Sequence, residues 1–268
     1  MLLENLLVSR YRRRFQRFLM EVELSNGQRV VAHTPNTGTM KTLLAKNNPV
    51  YLSTNDNPQR KLKYTTQIIQ LNDSLPDFSD GNLAGPDNKK TFLSAKSNNS
   101  VSEKFCLINT HLPNHLVKEG IEKGIIKEIE GGREIKKEVP YGQNNSSRVD
   151  LFLEDATGRK VFLEVKNATL KVAEGVCAFP DASTKRGLKH LRELTAETQK
   201  SHRAVVVFLV SRNDCQQFQV ADKIDKEFYQ GYLQARQKGV EFLAYRLKFT
   251  WRGDSVQMEL EKSLPIIN

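Results

Sequence analysis

Ser147-Arg148-Val149-Asp150-Leu151-Phe152-Leu153-Glu154, then Asp155-Ala156-Thr157-Gly158-Arg159, then Lys160-Val161-Phe162-Leu163-Glu164-Val165-Lys166, read as two strands around a turn. Val, Leu and Phe fill both runs, and Asp-Ala-Thr-Gly has turn chemistry. Side chains alternate faces along a strand, so Glu164 and Lys166 share a face. With residues 155–159 as the loop, Glu154 lies opposite Lys160 and Asp150 lies opposite Glu164 on that same face. A loop one residue shorter or longer turns Asp150 away from the pair.

Two neighbouring carboxylates repel each other and readily share a divalent cation. Mg2+, or Mn2+ in its place, suits a few carboxylates together with water and phosphate oxygens. Such a cation lowers the pKa of a water and stabilises charge building on a phosphoryl group. Lys166 would orient or deprotonate that water, or neutralise the transition state. Asp, a gap of thirteen residues, then Glu-x-Lys resembles the pattern of the PD-(D/E)xK nuclease superfamily. The same residues also occur in charged hairpins that carry nothing more than a surface Glu–Lys pair, so the rest of the chain has to decide.

The chain has 268 residues, 41 Lys and Arg against 31 Asp and Glu, and a net charge of +10, which points to an acidic partner such as nucleic acid. No apolar run is long enough to span a bilayer. The first residues, Met-Leu-Leu-Glu-Asn-Leu-Leu-Val-Ser, lack a basic leader and a small-residue cleavage site, a poor match to a signal peptide. Cys106, Cys177 and Cys215 are far apart in sequence and odd in number, which suits a reducing cytoplasm.

Toward the N-terminus, Arg10, Arg12, Arg13, Arg14 and Arg17 interleave with Tyr11, Phe15 and Phe18. Guanidinium forks pair with phosphates and aromatic faces accept stacked bases, so this stretch is a candidate nucleic-acid contact. The alternative is compatible: the rings enter a core while the arginines stay solvated. Phe18–Leu24, Arg29–His33, Pro49–Ser53 and Lys63–Leu71 read as short strands, with a hairpin turn at Ser25-Asn26-Gly27 and a short helix after the loop Thr34–Met40. Together they suggest a small barrel of the OB or SH3-like kind. Asn72–Glu103 is polar and reads as an insert or linker.

A helix follows Asn109-Thr110-His111-Leu112-Pro113-Asn114 to about Lys123, with Leu116, Val117 and Ile121 inward and Gly124 as its stop. His111 and His115 have the spacing of a metal pair, but Pro113 lies between them and no third ligand is near. Glu119 on this helix is either a further carboxylate for the cation or an ordinary solvent-facing side chain. Arg133–Pro140 reads as a strand. Pro180, Asp181, Ser183 and Thr184 suit a loop and cap before a helix running to about Lys200. Lys185, Arg186, Lys189 and His190, with Arg192, gather near its start. Cations there oppose the helix dipole, which favours a phosphate grip over a purely structural role. Ala204–Val210 is an all-apolar strand, Asp225–Lys238 a helix ended by Gly239, and Val240–Thr250 a further strand.

The second half therefore opens helix, three strands, helix, strand: the αβββαβ order of a PD-(D/E)xK core. The chain also resembles the sugar fermentation stimulation protein family of bacteria and archaea. The residues that carry the likeness include His33–Met40, Asn109–Asn114, Ser146–Asp150, Leu163–Asn167, Phe179–Ala182, Arg186-Gly187 with Lys189-His190-Leu191, and His202–Ala204. The resemblance implies an α/β (α+β) chain: an N-terminal OB-fold domain over 1–82, a flexible polar linker or insert over 83–104, and a restriction-endonuclease-like domain with a mixed sheet over 105–268. The insert is longer than the family pattern. It further implies DNA binding, and a nuclease triad on Asp150, Glu164 and Lys166, with Asp150 and Glu164 as metal ligands. Two functions follow: a Mg2+-dependent nuclease or phosphodiesterase acting on nucleic acid, or a non-catalytic DNA-binding regulator of sugar (maltose-type) metabolism genes. Sugar binding has little support, with Trp251 the one tryptophan.

Overall fold

The computed structural model describes residues 1–71, 103–129 and 134–267. In chain order the first elements are β1 (Leu2–Leu3), β2 (Leu7–Phe15), β3 (Leu19–Leu24), β4 (Arg29–His33), β5 (Pro49–Thr54), β6 (Tyr64–Leu71), β7 (Lys104–Leu107), α1 (Pro113–Glu122), β8 (Lys136–Tyr141), β9 (Ser147–Glu154) and β10 (Lys160–Ala168). Next come β11 (Leu170–Ala173), β12 (Val176–Phe179), α2 (Lys185–Thr198), β13 (Arg203–Val210), β14 (Gln217–Val220), α3 (Lys226–Gln237), β15 (Glu241–Arg252), β16 (Ser255–Ser263) and β17 (Ile266–Ile267).

Alternation builds the first unit. Met20 and Val22 on β3, and Val50 and Leu52 on β5, point to one side and are buried. Pairing runs β4–β3–β2–β5–β6, and a short parallel contact, Ala32 with Tyr64 and His33 with Thr65, returns from β6 to β4. That closes a five-stranded barrel with OB-type strand order. The arginine-rich stretch is largely strand β2, paired with β3 to Phe15 and with β5 only over Leu7–Arg10, with a bulge between Tyr11 and Arg13. The helix expected after Met40 does not form. Met40 has φ of 52°, a left-handed conformation that a helix cannot continue, and Met40 and Leu43 are buried in the barrel core instead.

The second unit is a mixed seven-stranded sheet in the order β1-β16-β15-β13-β10-β9-β8, with β10, β13 and β15 parallel. Strand β13 is apolar on both faces because both are covered. One face, with Leu151, Leu163, Val205 and Leu247, packs on Leu116, Val117 and Ile121 of α1. The other, with Phe162, Val206, Phe208 and Ala244, packs on Leu191 and Leu194 of α2 and Phe228 and Tyr232 of α3. A smaller sheet, β11-β12-β14-β17, lies beside it.

The two units exchange strands. Strand β7 extends the barrel by pairing with β6, although the sequence boundary at 105 assigns it to the second unit, and β1 joins β16 of the second sheet. Between them Trp251 packs on Tyr51 and Phe105, with ring centroids 4.3 Å and 5.1 Å apart. Apolar rings shared this way favour the two units staying together. The expected linker, 83–104, falls almost wholly outside the described residues.

Candidate active site

The hairpin β9–β10 has the five-residue loop 155–159, with Glu154 opposite Lys160 and Leu151 opposite Leu163. Asp155 fixes this loop: its Oδ1 accepts from the Thr157 and Arg159 amides at 3.0 and 3.1 Å. The ladder stops one pair short of Asp150. There the Asp150 side chain takes over, and its Oδ2 accepts from the Val165 amide at 2.7 Å. Its Oδ1 accepts from Asn114 Nδ2, at the start of α1, at 2.9 Å. The carboxylate is thus clamped where the two strands part.

Glu164 is 3 % exposed. Its Oε1 accepts from Lys166 Nζ at 2.6 Å and shares a short hydrogen bond with His190 Nδ1. Arg186 Nε donates to His190 Nε2 at 3.4 Å, which places the imidazole proton on Nδ1, facing Glu164. The second oxygen, Oε2, is buried and has no hydrogen-bond partner. Burial pushes the Glu164 carboxyl up, but the His190 and Lys166 contacts prevail and hold it below the usual range. Asp150 goes the other way. Burial first, then the charge of Glu164, push it up to about 6. Two acids side by side with opposite shifts mark a place where a cation would be welcome.

The helix caps hold His190 at this height. Thr184 Oγ1 caps α2 by accepting from the Gly187 amide at 3.0 Å. Asp225 caps α3 and also accepts from the Thr184 amide at 2.7 Å, tying the two helix starts together.

The structure therefore brings Asp150, Glu164 and Lys166 together, and separates other candidates from them. Glu119 lies five residues beyond Asn114 on α1, about 7.5 Å along the axis and rotated off the Asp150 side. Its carboxylate binds the Met1 amino group at 2.8 Å and Lys123. His190, read from sequence as part of a phosphate grip, is buried against Glu164; a lone histidine in a basic run gives no hint of an acidic partner on another strand. Lys185 and Arg186 are exposed, and Lys189 leans on Ser146 O and Glu193. In the arginine stretch, Arg12 is paired with Glu23 and Arg13 with Glu21. Arg14 is half-buried and donates to the backbone carbonyls of Arg17, Asn36 and Gly38, bracing the 36–39 loop. Arg17 is exposed and Arg10 half-buried. Tyr141 and Glu193, which no sequence motif marks, each carry a buried, unpaired oxygen, and Tyr141 lies within the fields of Glu164, Glu193 and Asp150. Among the described residues no three His, Cys, Asp or Glu side chains form a ligand cage.

Comparison with known proteins agrees with this architecture. Residues 13–75 match the SfsA N-terminal OB domain, and residues 111–253 the sugar fermentation stimulation protein RE domain. A sugar fermentation stimulation protein homolog from Marinomonas sp. (strain MWYL1) is 37% identical over 99% of this chain and 88% of its own length. One from Geobacter sulfurreducens is 41% identical over 95% and 93%. The structure of Pyrococcus furiosus SfsA in complex with Ca2+ superposes with a TM-score of 0.77 at 23% identity, covering 100% of this chain and 98% of that one. The chain belongs to the sugar fermentation stimulation protein (SfsA) family.

Proposed function

We propose that this chain is a divalent-cation-dependent nuclease or phosphodiesterase acting on nucleic acid, most naturally DNA, with Asp150 and Glu164 holding Mg2+ or Mn2+. The observation that carries the reading is Glu164 Oε2, a buried carboxylate oxygen with no partner beside a second, partly buried carboxylate. Buried acceptors are nearly always paired, and an oxygen left open beside another acid suits a cation. The residues thus fit the metal. When bound, the cation supplies charge stabilisation at phosphorus and an acidified water. Asn114 and the Val165 amide orient Asp150, and His190 orients Glu164. Lys166, 2.6 Å from Glu164 Oε1, is placed to position the attacking water and offset charge on the phosphate. Lys185 and Arg186, exposed at the start of α2, and Arg17, exposed on the barrel side, are the phosphate contacts of this proposal. A non-cutting DNA-binding regulator would not need two acids facing phosphate.

The test is cleavage of labelled single- and double-stranded DNA and RNA with Mg2+, Mn2+ or chelator, beside Asp150→Ala and Lys166→Ala, each also assayed for binding. Metal-dependent cutting lost in both variants while binding persists is the expected result. Salt-sensitive binding without cutting in the parent sinks the nuclease and leaves a DNA-binding protein.

A further inference from the structure

Five buried side-chain polar atoms among the described residues have no hydrogen-bond partner, and three of them are Tyr141 Oη, Glu164 Oε2 and Glu193 Oε2. Two short links tie these three together. Gly142, next to Tyr141, lies against Glu193 so closely that a Cβ there would sit 2.8 Å from Glu193 Oε1. His190, one helical turn before Glu193 on α2, bonds Glu164.

Tyr141 ends β8, is 3 % exposed, and packs its ring on Phe162 at a centroid distance of 5.8 Å. Glu193 Oε1 is held at the surface by Ser146 Oγ at 3.2 Å and Lys189 Nζ at 3.6 Å, which leaves Oε2 as the buried, unpaired oxygen. Gly142 has φ of 77°, and only the absence of a side chain there leaves room for the Glu193 carboxylate. Burial first, then the negative charges of Glu164, Glu193 and Asp150, push the Tyr141 hydroxyl up, so it stays a donor at neutral pH. Three carboxylates thus act on the Tyr141 hydroxyl, a setting that suits a hydrated cation.

The three carboxylates do not close into a ligand cage. Mg2+ in particular keeps several waters, and groups that hold those waters tune the site without touching the metal. We infer that Tyr141 and Glu193 are positioning residues that hold the water shell of a divalent cation seated at Asp150 and Glu164. This inference rests on the proposed cation site and adds two residues to it.

The experiment titrates Mn2+ into the full chain by electron paramagnetic resonance. Tyr141→Phe, Glu193→Gln and Asp150→Asn are compared with the parent, alongside melting temperatures in chelator. Tyr141→Phe and Glu193→Gln should each weaken Mn2+ about tenfold. In chelator Tyr141→Phe should melt at or above the parent, because it loses a buried hydroxyl without a partner. Glu193→Gln should melt no lower, because it removes a partly buried charge, keeps the side-chain shape and gives up only an exposed ion pair with Lys189. Mn2+ affinity unchanged in either variant, while Asp150→Asn abolishes binding, overturns the inference for that residue and leaves the proposed function standing. Weakened binding accompanied by a lower melting temperature in chelator marks a structural role and also overturns it. No Mn2+ binding by the parent overturns both readings.

Discussion

Two buried ionic clusters flank strand β10, and they are built on opposite plans. Beyond its end, Arg212 grips Asp214 with two hydrogen bonds of 2.7 and 2.8 Å and donates to Thr169 O at 3.0 Å. Lys171 completes the set, 3.4 Å from Asp214 and 2.7 Å from Glu174, and Arg212 reaches Thr42 of the barrel at 3.3 Å. None of these residues has an unpaired buried atom. Within β10, Glu164 has an oxygen with no partner, and the Asp150 carboxyl is raised by burial and by its neighbour. Satisfied buried charge fixes the join between barrel and sheet. Unsatisfied buried charge is a cost to folding, and a bound ligand offsets it.

The strongest way to break this contrast is Asp214→Ala. It leaves the buried Arg212 without its carboxylate and Lys171 with Glu174 alone, and should cost about 3–5 kcal/mol in urea denaturation. A loss below about 1 kcal/mol would mean that the paired cluster is not structural. Asp150→Asn should act on the pH dependence of stability. The folded pKa of about 6 lies above the ordinary value of 3.8, so the folded state binds the proton first as pH falls. The parent therefore gains stability on acidification from about pH 6 to pH 4 and loses it as pH rises. In chelator the parent should gain at most about 3 kcal/mol between pH 8 and pH 4 relative to the Asn variant, which does not titrate here. With one amide NH2 facing a donor, that variant forfeits one of the two accepted hydrogen bonds at every pH. A parent with no such gain relative to the variant would place Asp150 with the structural cluster.

Arg14→Ala should cost about 1–2 kcal/mol by releasing the 36–39 loop carbonyls. Lys185→Ala should leave stability alone and lower the salt dependence of DNA binding by about one unit of slope. Equal effects of the two on binding would undo their separation into brace and contact. The smallest effect belongs to Glu119→Gln: less than about 1 kcal/mol, since its partners are at the surface, with Mn2+ affinity unchanged. A tenfold loss of Mn2+ affinity would bring α1 back into the site.

What the sequence disclosed followed from periodicity and loop parity. Strands β9, β10 and β13, the helix caps and the Asp150–Glu164 face could all be read from local pattern. Three things could not. Strand β2 was hidden because its arginines pair with Glu21 and Glu23 on the neighbouring strand, an arrangement with no local signal. The expected helix after Met40 failed because barrel packing fixes Met40 in a left-handed conformation. His190, Tyr141 and Glu193 joined the site only through long-range contact, since α2 and the end of β8 meet β10 in space and not in sequence. The tail from Trp251 to Ile267 likewise carries β16 and β17 without any motif to announce them.

The loop 155–159, fixed by Asp155, has a bearing on how such a chain drifts over generations. Point changes on its surface leave the facing of Asp150 and Glu164 intact. A single inserted or deleted residue inverts the parity of β9 against β10 and sends Asp150 to the other face, unless a bulge absorbs it. A second, compensating length change restores it. Loop length in this hairpin thus behaves as a parity bit: descendants with odd loops keep the two acids facing each other, and those with even loops without a bulge have lost that arrangement, whatever residues they retain.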